Sequence, residues 1–523
     1  MAPVAVYGMR VVRSLDVAPD LPGAPRYHGR VRANRRTRRS PRDRCSIRPP
    51  RLYMLTRTLA ALAGIALAAC STPPSGVLPS DAFTATGTFL RDSPTAAVLA
   101  FVDVNVVAMD APTAVAHQTV VVRDGAIAAM GPIAAVPIPD GAFILRGEGR
   151  LYLLPGLADM HIHLFDRDEM LLYLANGVTT VRNMHGIPRH LAWRDSLQRG
   201  ELIGPRLFTA GPILDGDPPT RSTNVVVRTV DEARTEVNRQ IDAGYDFIKV
   251  YDNLAPAVYA AVTAEARRRG RRVVGHLPTP VGLAGVLAAG AQHGVEHAEE
   301  LLPLFNDGRV TGASTGGVFD TVRRVARRFA EAGVCLDPTV GVYESALRQS
   351  RSWSVESARP EMRFVNPATR RTWGWEEVGR SRSGVAAELA RYERTRGFMV
   401  NQIVPAFSQA GVRLLAGSDA PIPSLIPGFA LLDELDLFAA AGLTPYQALQ
   451  ATTTNATECL DAGQRLGSLA VGRVADLLLV DGNPLTGLAV LRKRLGVVIG
   501  GRWLSQAGLS ARLDSLADVY RGR

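Results

Sequence analysis

The sequence predicts an α/β fold, a (β/α)8 TIM barrel with a small β-sandwich domain formed from both flanks of the chain. Two observations predict the barrel. Short apolar runs alternate with helical stretches over residues 151–461, and a barrel of eight strand–helix units typically needs about 250 residues. A third observation predicts the β-domain, since strand-like sequence with turn signals occurs on both sides of that region, in 98–150 and 462–510.

The candidate barrel strands are short runs of apolar residues separated by stretches long enough for a helix. In chain order they are LLPGLADMHIHL, GVTTVRNM, RLFTAGPIL, YDFIKVY, RRVVGHL, HGVEHAEEL, VCLDPTV and VRLLAGSDA. The fourth and fifth are separated by NLAPAVYAAVTAEARRRG, which predicts a helix that stops at Gly270. This order indicates parallel strands joined by helices, as a barrel requires.

The beginning of the chain predicts an export leader. Residues 1–53 are rich in Arg and Pro and predict a disordered extension or an incorrectly assigned start. Residues 54–70 read as a signal peptide whose last residues, LAAC, resemble a lipobox ending at Cys70, and 71–97 as a polar tether. We expect an exported outer-membrane lipoprotein facing the periplasm or the cell surface. An ordinary signal peptide with an incidental Cys is the alternative.

The net charge of +11 belongs to this leader. Residues 1–69 hold 14 Arg and only three Asp, so the remainder of the chain has no net charge. This distribution argues against a nucleic-acid partner, and we expect membrane contact only through the lipid anchor. The other cysteines, Cys335 and Cys459, fit either a disulfide or two buried thiols.

Polar residues that can bind a metal stand at the ends of the candidate strands. His161 and His163 are two apart on the first strand, so their side chains point to the same side. His276, His297 and Asp419 end the fifth, sixth and eighth strands. The carboxyl ends of barrel strands converge at one rim, so we expect these residues to be neighbours around a divalent metal.

Lys249, at the end of the fourth strand, has a chemical property that Arg lacks. Of the 60 basic residues only Lys249 and Lys493 are lysine, so an Arg is expected wherever positive charge alone is needed. A deprotonated amine can add carbon dioxide and become a carbamate, an anionic ligand able to bridge two metals. The guanidinium of Arg stays protonated and cannot do so. The sequence therefore predicts that position 249 needs an amine.

These motifs together resemble the amidohydrolase superfamily, in particular the imidazolonepropionase-like branch that includes metal-dependent prolidases. The matching segments are PGLADMHIHL, GYDFIKVY, VVGHLP, GVEHAEEL, LLAGSDAP and GSLAVGRVADLLLVDGNPL. The resemblance implies a binuclear site with two divalent metal ions, usually Zn²⁺. His161, His163 and Asp419 would hold one ion, His276 and His297 the other, with Lys249 as the bridging carbamate.

The resemblance also implies a reaction and a substrate class. A metal-activated hydroxide would attack the amide carbonyl, and Asp419 would take its proton and pass it to the leaving amine. Dipeptides or N-acyl amino acids are the expected small-molecule substrates. A Tyr at the place of Tyr251 contacts the substrate carboxylate in the resembling dipeptidases, and His185 follows the second strand, where it could help polarise the carbonyl.

Several alternatives stay open at this point. Tyr251 could be a packed aromatic residue and His185 a surface residue. The same site could hydrolyse cyclic amides, lactones or carbamates, or the protein could be an inactive surface binding protein that keeps the barrel. The sequence does not predict the substrate side chain, the stereochemistry or the oligomeric state.

Overall fold

The computed structural model is an α/β protein in which the apolar runs form strands and the stretches between them form helices. It describes residues 91–95, 97–305, 315–373 and 385–522, which all belong to one compact unit. The predicted leader 1–53, the signal segment 54–70 with Cys70, and most of the tether 71–97 lie outside the described residues. Those assignments therefore stay predictions.

The strands of the described residues are short. In chain order they are β1 Leu99–Val106, β2 Val115–Arg123, β3 Ala126–Pro132, β4 Phe143–Arg146, β5 Tyr152–Pro155, β6 Leu157–Ile162, β7 Val178–Asn183, β8 Arg206–Thr209, β9 Leu214–Asp215, β10 Val225–Val226, β11 Phe247–Val250, β12 Arg272–Gly275, β13 Gly294–Glu296, β14 Cys335–Asp337, β15 Leu477–Val480, β16 Arg494–Ile499 and β17 Arg502–Ser505. Strands β6, β7 and β11 are buried at every position, because both of their faces are covered.

The helices lie mainly between and after the parallel strands. They are α1 Glu169–Ala175, α2 Pro188–Gln198, α3 Val230–Asp242, α4 Pro256–Arg268, α5 Gly282–Val286, α6 Leu302–Phe305, α7 Thr315–Ala332, α8 Val340–Arg351, α9 Trp353–Ser357, α10 Pro367–Thr372, α11 Ala386–Phe398, α12 Val404–Gln409, α13 Phe429–Ala440, α14 Pro445–Ala451, α15 Thr454–Cys459 and α16 Gln506–Arg521. Helix α4 confirms the predicted helix between the fourth and fifth strands, with Pro256 in its first turn and Gly270 at a φ of +67° just beyond its end. Within the described ranges, no helix has the length and apolar content needed to cross a bilayer.

One sheet combines strands from both flanks of the chain. Its eight strands run in the order β17-β16-β15-β5-β1-β2-β3, and β4 pairs with β1. Leu478 of β15 lies opposite Leu154 of β5, in an antiparallel pair that joins the late strands to the early ones. Trp503 is fully buried and meets the ring of Phe101 edge-on, with 5.9 Å between the ring centroids. A two-layered sandwich stays a prediction.

Two parallel sheets carry the motifs that the sequence singled out. One has the order β6-β7-β8, and the other the order β10-β9-β11-β12-β13-β14. Isolated parallel bridges join Ala210 to Phe247, Leu336 to Leu414 and Ile162 to Ala420. Because these strands are parallel, the residues at their carboxyl ends lie along the same edge.

The eighth predicted strand differs from the prediction. Residues 412–420 make two isolated bridges and no continuous ladder. The backbone N–H of Ser418 donates to Oδ1 of Asp159 at 2.9 Å, and Asp419 has a φ of 55°. The chain therefore leaves the extended conformation at the residue whose carboxylate faces the histidines.

Cys335 and Cys459 form a disulfide, which decides between the two interpretations of the sequence. Cys335 is the first residue of β14 and Cys459 the last residue of α15, and their Cα atoms are 6.8 Å apart. The bond closes a segment with a sequence separation of 124 residues. A cross-link over such a long segment restricts the unfolded chain strongly.

We expect Cys335→Ala combined with Cys459→Ala to lower the free energy of unfolding by about 2–4 kcal/mol, because the unfolded chain gains conformational freedom. Denaturant unfolding of both proteins, with and without dithiothreitol, measures this difference. The reductant should destabilise only the wild type. Equal stability of the wild type and the double variant under oxidising conditions would contradict the prediction.

Candidate metal centre

His161 and His163 face the same space at the carboxyl end of β6. Their ring centroids are 5.4 Å apart. The backbone N–H of His163 donates to the carbonyl of Ala420 at 2.7 Å, and the N–H of Asp419 donates to the carbonyl of His161 at the same distance. These bonds hold the Asp419 carboxylate beside both rings, with Oδ1 at 3.0 Å from Nε2 of His163 and 3.4 Å from Nε2 of His161.

Lys249 reaches the same space from β11. Its side chain is almost completely buried, and Nζ lies 3.4 Å from Nε2 of His161. Burial lowers the pKa of the Lys249 amine to about 8, while the carboxylates of Glu296 and Asp419 oppose this shift. A pKa near 8 leaves about a tenth of the amine uncharged at neutral pH, which is the form that reacts with carbon dioxide.

His276 and His297 complete the group from β12 and β13. The His297 ring lies 4.7 Å from the His161 ring and 4.8 Å from the His276 ring, measured between centroids. Nδ1 of His276 is 2.7 Å from Oδ1 of Asp252, and Nδ1 of His297 is 2.8 Å from Oγ1 of Thr339. With Nδ1 engaged in this way, Nε2 of each ring is the nitrogen left to bind a metal.

The donor set fits a divalent cation. His161, His163 and Asp419 offer ligand atoms that all lie within 4.8 Å of one another. Oδ1 of Asp419 is buried and has no hydrogen bond of acceptable geometry, although two imidazole nitrogens face it. Burial opposes ionisation, but His163, His297 and Lys249 hold the pKa of the Asp419 carboxyl well below its usual range. A buried carboxylate beside neutral imidazoles is a combination typical of zinc sites.

Beneath these residues lies a buried charge network that the sequence analysis missed. NH2 of Arg182 donates to both carboxylate oxygens of Glu296, at 2.8 and 2.7 Å, and Nε donates to the carbonyl of Met160 at 2.6 Å. Oε2 of Glu296 is 3.2 Å from Nδ1 of His161, and both side chains are fully buried. Asp337 also lies close, 3.8 Å from the guanidinium of Arg182. The available signal was a charged residue inside each of two predicted barrel strands, GVTTVRNM and HGVEHAEEL.

Tyr251 and His185 lie at the margin of the candidate ligand group. Tyr251 is buried, and its ring centroid is 3.8 Å from that of His276. His185 follows β7 and is half-buried. Burial, with the charges of His163, Lys249 and Arg221, lowers the pKa of the His185 imidazole to about 3. His185 is therefore less exposed than the surface residue of the alternative interpretation, and the roles of Tyr251 and His185 stay predictions.

Arg221 also reaches this margin, on the segment between β9 and β10, and donates a hydrogen bond to the hydroxyl of Tyr251. The sequence offered no signal for it, because Arg is so abundant in this chain.

Comparison with known proteins assigns the family. Residues 152–504 match the amidohydrolase family. No curated protein sequence matches the chain at a significant level.

Solved structures share the fold at low sequence identity. Bottromycin amidohydrolase is 24% identical to this chain and has a TM-score of 0.67; the matched region covers 84% of this chain and 95% of the bottromycin amidohydrolase chain. The two coverages for each structure below are given in the same order. A putative prolidase from Bifidobacterium longum is 23% identical, covers 82% and 100%, and has a TM-score of 0.59. A Xaa-Pro dipeptidase with bound methionine is 18% identical, covers 78% and 100%, and has a TM-score of 0.57. These neighbours indicate a TIM-barrel-type fold, and the family match confirms the resemblance seen in the strand-end motifs. The chain belongs to the amidohydrolase family.

Proposed function

We propose that this protein is a binuclear metal-dependent hydrolase that cleaves the amide bond of dipeptides or N-acyl amino acids. Family membership supports hydrolysis of C–N bonds. The observation that carries the proposal is the buried Oδ1 of Asp419, which faces the Nε2 atoms of His161 and His163 without hydrogen-bond geometry. Such an arrangement of acceptors is stable when a cation lies among them.

The ligand assignment follows the two sides of the group. His161, His163 and Asp419 would hold one ion, and His276 and His297 the other, with zinc as the expected metal. Lys249 would join them as a carbamate, formed when its neutral amine adds carbon dioxide and releases one proton. The depressed pKa of Lys249 supports this assignment, since an amine of ordinary pKa stays protonated at neutral pH.

Each side chain then has a defined task. When bound, two divalent ions lower the pKa of a bound water towards neutrality and polarise a carbonyl. Asp419, whose pKa lies well below its usual range, is ionised and can accept a proton and return it to the nitrogen of the departing amine. Asp252 and Thr339 fix the rings of His276 and His297, so that Nε2 of each points to the ligand group.

The same proposal includes the closed architecture. We place the barrel at 151–461 and the small β-sandwich domain at 98–150 and 462–510. Parallel bridges from Ile162 to Ala420 and from Leu336 to Leu414 support closure, since they link the first and seventh strands to the 412–420 segment. The antiparallel pairing of β5 with β15 supports a β-domain built from both flanks.

The proposed location is outside the cytoplasm, with a lipid anchor on Cys70. The disulfide between Cys335 and Cys459 supports export, because disulfides persist mainly in oxidising compartments. Labelling with a fatty-acid analogue tests the anchor. Incorporation should be lost in Cys70→Ser, and incorporation into that variant would contradict lipidation at this residue.

We expect about two zinc ions per chain in the purified protein, and a fall to one or none in Lys249→Arg. A guanidinium cannot form the bridging carbamate, and its charge repels the dications. Elemental analysis of the dialysed proteins measures the stoichiometry.

Lys493→Arg is the matched control, because Lys493 is exposed and the change of side chain is the same. It should keep the wild-type metal content. Two tightly held ions in Lys249→Arg would contradict the bridging role.

We expect Asp419→Asn to lower kcat by about 10²–10⁴-fold, because the amide cannot accept and return a proton. The assay uses the best substrate from a library of dipeptides and N-acyl amino acids, together with cyclic amides and lactones. Asp514→Asn, an exposed change on α16, is the control. The metal content of Asp419→Asn shows whether a loss of activity reflects a lost proton acceptor or a lost metal ligand. A kcat within threefold of wild type would exclude Asp419 as the acid–base group.

A further inference from the structure

The segment between β9 and β10 is held in one conformation by a single buried carboxylate. Asp215, which is fully buried, accepts from the backbone N–H groups of Gly216 at 2.9 Å and Asn253 at 3.0 Å through Oδ1. Oδ2 accepts from the N–H of Thr220 at 2.7 Å and from Nδ2 of Asn224 at 2.9 Å. Four donors satisfy the charge, and their positions fix both ends of the segment that carries Arg221.

The same segment is tied to the candidate metal centre. Oγ1 of Thr220 donates to Oδ2 of Asp252 at 3.2 Å, and the other oxygen of Asp252 orients His276. Nδ2 of Asn253 donates to the carbonyl of Pro218 at 2.9 Å. The segment and the metal-binding histidine therefore share a carboxylate, so Arg221 has a fixed position relative to the ligand group.

The guanidinium of Arg221 lies beside the side chain of Tyr251. It donates a hydrogen bond to the Tyr251 hydroxyl, and its Nε atom is buried. Thr220, the residue before Arg221, donates to Asp252, the residue after Tyr251, so the chain holds Arg221 close to the candidate ligand group. A cation at this place repels the metals that the site would hold, and an anion supplied by a ligand would offset that repulsion.

We propose that Arg221, together with the hydroxyl of Tyr251, forms a binding site for the free α-carboxylate of the substrate. The inference rests on the proposed hydrolase function and narrows it to amino-acid derivatives with an unblocked carboxyl end. A contact of Tyr251 with this carboxylate is already implied by the resemblance to dipeptidases, and the new element is the cation. The planar guanidinium can pair with both oxygens of a carboxylate while the Tyr251 hydroxyl contacts one of them.

Binding measurements test this site without depending on turnover. Calorimetric titration of the metal-loaded protein compares L-amino acids, which are products and not substrates of the proposed reaction, with the matching L-amino acid amides, which differ only in the carboxylate. We expect the best acid to bind wild type at least tenfold more tightly than its amide. Arg221→Ala should weaken the acid at least tenfold and change the affinity for the amide by less than threefold.

Two further variants separate charge recognition from damage to the fold. Arg221→Lys should recover part of the lost affinity, because it keeps the charge but loses the paired geometry. Arg228→Ala removes an exposed guanidinium of the same region that pairs with Asp217, and it should bind like wild type. Metal content and thermal stability of Arg221→Ala should equal those of wild type.

Three results would overturn the inference. They are equal binding of acid and amide by wild type, no detectable binding of either, and an equal loss for both ligands in Arg221→Ala. The proposed function fails separately, on absent metal or absent hydrolysis of the substrate library. If the protein binds the carboxylate selectively but hydrolyses none of the substrates, the Arg221 site is supported. The proposed enzymatic function is then replaced by that of a binding protein.

Discussion

The buried ion pair of Arg182 and Glu296 is the interaction on which the candidate site depends. It joins β7 to β13, reaches the carbonyl of Met160 in β6, and places a carboxylate behind Nδ1 of His161. A buried ion pair is stable only when its geometry is favourable and its remaining polar atoms have hydrogen bonds. Removal of one partner leaves the other as an unpaired buried charge. The candidate ligand residues thus lie next to a group of buried charged side chains.

The same arrangement is repeated on the other histidines. Glu296, Asp252 and Thr339 lie behind His161, His276 and His297, each at the Nδ1 atom of its ring. The contacts at Nδ1 of His276 and His297 leave Nε2 of both rings available, which is the arrangement that a metal site would require. Preorganisation of this kind reduces the conformational entropy lost when a ligand is bound.

The sequence predicted which residues lie together in the candidate site where strand periodicity and chemistry constrain them. His161, His163, His276, His297 and Asp419 could be found because parallel strands bring their carboxyl ends together, and Lys249 because it is one of two lysines among 60 basic residues. The partners Arg182 and Glu296 were missed, since their pairing joins two distant strands. The prediction of a continuous eighth strand was wrong, because the backbone N–H of Ser418 donates to the carboxylate of Asp159. Arg221 was hidden by the abundance of Arg, and the cysteine pairing needed the distance between β14 and α15.

The uneven exposure of the two lysines has a practical consequence. Lys249 is buried among the histidines, whereas Lys493 is exposed. Apart from the amino terminus, an amine-reactive reagent should therefore modify the folded protein at one position and the opened protein at two. The mass spectrum of the labelled protein then gives the fraction of molecules in which Lys249 has become accessible. Brief labelling at rising denaturant would follow the opening of this one site, with no probe engineered into the chain.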